Sequence, residues 1–330
     1  MSTVIKISVA AAGLLLASTA AYAQSIDVDD RTGWPDSFTV GTASQGGTYF
    51  TYGSGWANLV GEELGLSGGG QVTGGPVQNM ALVHTGDVEF GMTTMGPARE
   101  AMDGNSPLAP GLMHENVRAM FPMYQTPFSI TVLASSGVGA IGDIPDGSVV
   151  GFGPAGSTSD TYFPAMLETL GVAFDKRNGG WSDLVGQMQD GLIDVIAFAA
   201  GIPIPAVSQL EAQADINIIP FSDDERATIL GAFPVAEFVI PAATYQTLTD
   251  DQMAVSMWNF AIANADVPET LVYHVMETVL GNNDRMVEIH RAARSTLPAF
   301  YDRNTFIPFH PGAWKWYEDN GISIPDALKG

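Results

Sequence analysis

Residues 38–50 read FTVGTASQGGTYF: an apolar strand-like start, a small polar loop rich in glycine, then the first turn of a helix-like segment. The same order recurs in QVTGGPVQNM at 71–80 and in SVVGFGPAGSTSD at 148–160. A helix start leaves about four backbone N–H groups without intrahelical partners and carries roughly half a positive charge. Several such starts converging on one crevice make an anion site that needs neither arginine nor metal. Glycine in these loops is expected to let the main chain approach a ligand, at backbone angles other residues reach only with strain.

Working outward, the pattern alternates. Tyr52, Trp56, Leu59, Val60 and Leu64 fall at helical spacing, which predicts a helix over 48–64. Pro76 suits a first helical turn, Gly86 ends that helix, and VEFGMTT at 88–94 reads as a buried strand. From Ile130, ITVLASSGV is strand-like, GDIPDGSVVGFG is turn then strand, and 159–170 reads as helix. The segment starting at Trp181 reads as helix, a stop at Gly191 and a strand; AEFVIPAATY follows from Ala236. Both 253–264 (MAVSMWNFAIAN) and 268–280 (PETLVYHVMETVL) read as helices. This βαβ order predicts an α/β fold with a mainly parallel sheet covered by helices. The expected organisation is a first lobe over 24–129, a second over 130–234, and a return segment over 235–330 that completes the first.

Residues 1–23 carry one basic residue, Lys6, an apolar run, and the small-x-small end Ala21-Tyr22-Ala23, the pattern of a cleaved secretory signal. Cleavage after Ala23 leaves about 307 residues, enough for a core without disulfides. The apolar run is shorter than the ~20 residues a bilayer span requires, so a periplasmic chain that is not membrane-embedded is expected. The sequence has 0 cysteines, which excludes disulfides, thiolate metal sites, cysteine nucleophiles and a lipidated amino-terminal cysteine. With 13 Lys+Arg against 36 Asp+Glu the net charge is −23, and nucleic-acid binding requires the opposite sign.

GTASQGGTYF, VTGGPVQNMALVHTGDVEFGM, GPAGSTSD, QDGLIDVIAFAAGIP and FIPFHPGAWKWYEDNGI, in this order, resemble the successive motifs of the TAXI family. These are the solute-binding proteins of tripartite ATP-independent periplasmic (TRAP) transporters. The resemblance runs over roughly residues 36–322. It implies a type II periplasmic binding protein: two α/β lobes joined by crossing hinge strands, closing on a ligand in the cleft. It further implies a monomer without cofactor, metal or catalytic residues. Its role would be to capture a small carboxylate such as glutamate or 2-oxoglutarate and deliver it to a membrane permease. Residue by residue, Ser44, Gln45, Gly46, Gly47, Thr48 and Tyr49 occupy the family's first loop, and Gly74 and Gly75 open the second helix. Ser157, Thr158 and Ser159 are expected to supply hydroxyl donors at a third helix start, and Phe198 and Ala199 to wall the cleft. Where the family commonly has glutamine, this chain has Thr94, so the distal end of its ligand is expected to differ from that of glutamate-binding relatives.

Other readings stand beside this one. A ligand-binding protein could serve a sensor or a surface role instead of transport. GFGPAG at 151–156 matches the GxGxxG of dinucleotide folds, with Asp175 19 positions after Gly156, although Pro154 lies inside the loop. GLSGG at 65–69 matches the esterase pattern, but its serine follows a helix and precedes a strand, the reverse of a nucleophile elbow. His84, His114, His274, His290 and His310 show no metal spacing and are expected to be structural. Trp314, Trp316 and Tyr317 read as packing for the last helix.

Overall fold

The computed structural model describes residues 27–330; the expected signal segment and its cleavage site lie outside the described residues. The first lobe opens as β1 (Ser37–Gly41), α1 (Thr48–Leu64), β2 (Ser67–Gln71), α2 (Pro76–Thr85), β3 (Phe90–Thr94) and α3 (Met95–Met102). β1 pairs in parallel with β2 on one side and β3 on the other. α1 buries Tyr52, Trp56, Leu59, Val60 and Leu64 along one stripe and stops at Gly65, whose φ of +72° suits glycine. Trp56 meets Phe90 and Phe121 edge-on, fastening that helix to the sheet.

β4 (Val117–Leu133) then carries the chain out of the first lobe. The second lobe contains β5 (Ser148–Gly151), α4 (Thr158–Thr169), β6 (Phe174–Arg177), α5 (Trp181–Gln189) and β7 (Val195–Ala199). It continues with α6 (Pro205–Glu211), β8 (Ile216–Ile219), α7 (Asp223–Ala232) and β9 (Ala236–Ile240). β5 lies parallel to β6 and β7, whereas β7 and β8 run antiparallel to the far end of β4. Two cores flank this sheet, one around Phe128, Phe163 and Phe221, the other around Trp181, Phe198 and Ile204. β10 (Gln252–Asn264) returns, lying antiparallel between β3 and β4. α8 (Glu269–Gly281), α9 (Asn283–Ile289) and α10 (Pro311–Asp319) complete the first lobe's core.

β10 overturns the expected helix at 253–264. From Ala254 to Asn264 all its residues are buried except the half-buried Trp258, so no polar face marks the two-residue period of a strand. Its pairing with β9 also holds the chain in the second lobe beyond residue 235, and the return is made by β10 itself. Residue 130, near which the second unit is expected to begin, falls within β4. The β4–β10 ladder shifts register between Trp258 and Phe260 and again between Phe260 and Ile262. Such irregularities bend and twist paired strands, and Pro122, paired with Phe260 between the two shifts, has no N–H to donate to the ladder.

α10 starts at His310, whose Nδ1 accepts the Gly312 N–H at 3.2 Å while the ring is fully buried. Burial, reinforced by the Arg118 charge, pushes the His310 pKa down to about 4 from 6.5. Between those pH values the folded chain binds fewer protons than the unfolded one, so this stabilisation is complete above pH 6.5 and is lost as pH falls to about 4. The shift corresponds to about 3 kcal/mol. His310→Asn keeps an N-cap acceptor but cannot titrate. Denaturant unfolding across this window should lose stability less steeply in the variant than in the wild type.

Candidate functional site

Four helices begin at one cavity between the lobes. Its walls include Gly47, Thr48 and Tyr49 at the start of α1, Pro76 of α2, Ser157 and Thr158 at the start of α4, and Trp181 of α5. None of the lining residues carries a charge; Thr94, Thr126, Ala43, Pro154, Ala199 and Ala200 complete the wall. The volume is about 30 Å³, room for roughly two waters. The N-cap of α1 is Gly47, which has no side chain, so the Thr48 and Tyr49 amides at this end have no side-chain cap.

The lobes are in contact around this cavity. Thr48 Oγ1 donates to Gly201 O, Ala206 N to Gly46 O at 3.0 Å, Val77 N to Gly156 O at 3.3 Å, and Tyr162 Oη to Glu100 at 2.7 Å. The glycines of the first two loops are what allow this approach. A Cβ on Gly47 would stand 2.8 Å from Trp181 Cδ1, one on Gly46 2.7 Å from Ser182 Oγ, and one on Gly74 2.7 Å from Ala155 O. Gly47 itself has φ −93°, open to any residue, so the expected need for unusual backbone angles does not hold there. It does hold at Gly46 and Gly75, with φ of +82° and +108°.

The structure thus brings Gly47, Thr48, Tyr49, Thr94, Ser157, Thr158 and Ala199 together on one cavity. Gln45 is exposed outside it. Ser44 Oγ lies 3.4 Å from the Trp181 amide, across the lobe contact. The Gly74 amide donates to Gln78 Oε1 at 2.6 Å. Phe198 sits in the second lobe's core, 4.5 Å from the Trp181 ring. Two hydroxyls differ from the donor role expected of them. Ser157 Oγ caps α4, accepting from the Asp160 amide and donating to Phe152 O, both at 3.1 Å, and Ser159 Oγ donates to Ala197 O. Of the three, Thr158 alone directs its hydroxyl across the cleft, 2.7 Å from Thr94 Oγ1.

Sequence reading missed Thr126, Trp181 and, behind the wall, Asn259. Asn259 is fully buried on β10 at the register shift, within hydrogen-bond distance of Tyr49, Thr94, Thr126 and the Tyr124 carbonyl. The visible signal was the asparagine that interrupts the apolar run MWNFAIA. Burial raises the Tyr49 phenol well above its ordinary pKa, so it stays protonated.

The GxGxxG loop does follow a strand and precede a helix. Its Gly156 amide, however, already donates to Asp160 Oδ2 at 2.9 Å, so a carboxylate of the chain occupies the place a phosphate would take. Asp175 pairs with Val149, two residues before the loop begins at Gly151. Ser67 opens β2 directly after α1, with no strand-to-helix elbow.

Three solved structures share the fold. "Structure of a periplasmic transporter" superposes with a TM-score of 0.53 at 13% identity, covering 87% of this chain and 98% of that one. Rpa4515 from R. palustris, described with adipate, gives 0.52 at 16% identity over 82% and 97%. An ancestral arginine-binding protein bound to arginine gives 0.50 at 12% over 78% and 97%. The architecture is that of the periplasmic binding proteins. Residues 40–321, spanning both lobes and both crossing strands, match the NMT1-like family, and the chain belongs to it.

Proposed function

We propose that this chain is the extracytoplasmic solute-binding component of a transporter, that it captures a small carboxylate in the cleft between its lobes, and that it hands it to a membrane permease. One observation carries this: four helix starts from two lobes meet at a cavity whose walls hold no charged side chain. An anion there is held by first-turn amides of α1 and α4, and charge-assisted N–H···O bonds are about twice as strong as neutral ones. A net charge of −23 repels anions at long range, so affinity has to come from these short contacts. Rpa4515 and the ancestral protein are described with adipate and arginine, both of which carry carboxylates.

The mechanism is a hinge cycle. A solute of organic-acid size exceeds the present cavity, so the lobes part along β4 and β10, admit it, and close with it between α1 and α4. The order of the five motifs favours the TAXI group and hence a TRAP permease as partner. The signal pattern of residues 1–23 favours a periplasmic mature chain, and we take it to act there as a monomer.

Binding to the folded state alone stabilises it by about 2.7 kcal/mol at a hundredfold excess over Kd. A thermal-shift screen of mono- and dicarboxylates on ligand-free protein should therefore yield at least one clear rise in Tm with 1:1 stoichiometry. A screen without any shift contradicts the proposal.

Gly47→Val places its Cβ where Trp181 stands in the closed cleft. The first lobe should still fold, since Gly47 has an ordinary extended φ. Calorimetry should show affinity for the screened acid falling by about tenfold or more, since closure is blocked. Normal binding by this variant would place the solute elsewhere.

A further inference from the structure

The Asn259 amide has one permitted orientation. Its Nδ2 lies 2.7 Å from the Tyr124 carbonyl oxygen, which can only accept, so the nitrogen is on that side and Oδ1 faces away. Three hydroxyls approach Oδ1: Tyr49 at 2.7 Å, Thr94 at 2.8 Å and Thr126 at 3.1 Å. A carbonyl oxygen has two lone pairs, and the two nearer hydroxyls fill them. Thr126 Oγ1 is placed instead to accept the second Nδ2 proton at 2.8 Å, which leaves its own proton for the cavity it lines.

A hydroxyl has a single proton. Those of Tyr49 and Thr94 go to Asn259, whose Oδ1 is nearer to each hydroxyl than the 3.2 Å that separates the two hydroxyls from one another, and α1 and β3, which carry them, both belong to the first lobe. Both oxygens therefore offer the cleft lone pairs only. The closed structure displays the consequence: with no proton left on Thr94, the 2.7 Å contact with Thr158 must be donated by Thr158.

Building on the carboxylate reading above, we propose that Asn259 is a positioning residue that makes this end of the cleft an acceptor site. Its matching solute is a hydroxy or amino acid, whose O–H or N–H is received by Thr94 and Tyr49 while its carboxylate meets the helix-start amides. A plain diacid or a 2-oxo acid brings only acceptors to these two acceptor oxygens. A buried polar group facing no partner weakens binding, here by about tenfold or more.

The test is calorimetric titration of the ligand-free protein with glutarate, 2-oxoglutarate, 2-hydroxyglutarate and glutamate, and with succinate, oxaloacetate, malate and aspartate. In at least one series the hydroxy or amino acid should bind about tenfold or more tightly than its plain and oxo counterparts. Thr94→Val combined with Tyr49→Phe should bring that ratio close to one, while Thr94→Ser, which keeps the oxygen, should preserve it. Should the double variant not fold, Tyr49→Phe alone removes one acceptor and should lower the ratio. Equal affinities in the wild type, or an unchanged ratio in the folded variants, overturn the proposal and leave the carboxylate reading intact. Binding of no acid in either series refutes both.

Discussion

The pairing of β4 with β10 is the constraint on which the cleft depends. β4 and β10 run side by side from one lobe to the other, and beside Asn259 their register shifts, with Tyr124 and its carbonyl outside the paired positions. The Asn259 side chain satisfies it, because an unpaired carbonyl in so buried a place would be destabilising. In doing so it turns its own oxygen toward Tyr49 and Thr94. The crossing strands and the cavity wall are thus tied by one amide, and the register shift that places Asn259 also orients the Tyr49 and Thr94 hydroxyls.

A second constraint is that main chain meets main chain across the cleft. At Gly46, Gly47 and Gly74 a single added carbon would collide with the opposite lobe. The loops therefore serve two ends at once: they open helices toward the cavity, and they let the lobes approach within hydrogen-bond distance. Charge is absent from this surface because helix starts supply the positive potential, and because a buried ion without a partner would be strongly destabilising.

Much of the fold was legible in the sequence because its elements have punctuation. α1 runs over the residues expected, and α2 begins and ends with the expected Pro76 and Gly86. β10 was not legible: a strand buried on both faces loses its alternation, and its Ala, Met and Asn residues do not favour a strand. The site divides along the same line. Gly47, Thr48, Tyr49, Thr94 and Thr158 follow from loops that open helices or end strands. Thr126 and Asn259 lie on the crossing strands and gain meaning only once the register of β4 against β10 is known. Ser157 and Ser159 show the converse, since a hydroxyl at a helix start can cap that helix, as Ser157 does, bond a neighbouring strand, as Ser159 does, or face a ligand, and composition does not distinguish these.

The most direct test is neutron diffraction from the perdeuterated protein, which locates hydroxyl deuterons. Deuterons on Tyr49 Oη and Thr94 Oγ1 should point to Asn259 Oδ1, with that of Thr158 directed at Thr94. A Thr94 or Tyr49 deuteron pointing into the cavity, or an Asn259 amide turned the other way, would contradict the account.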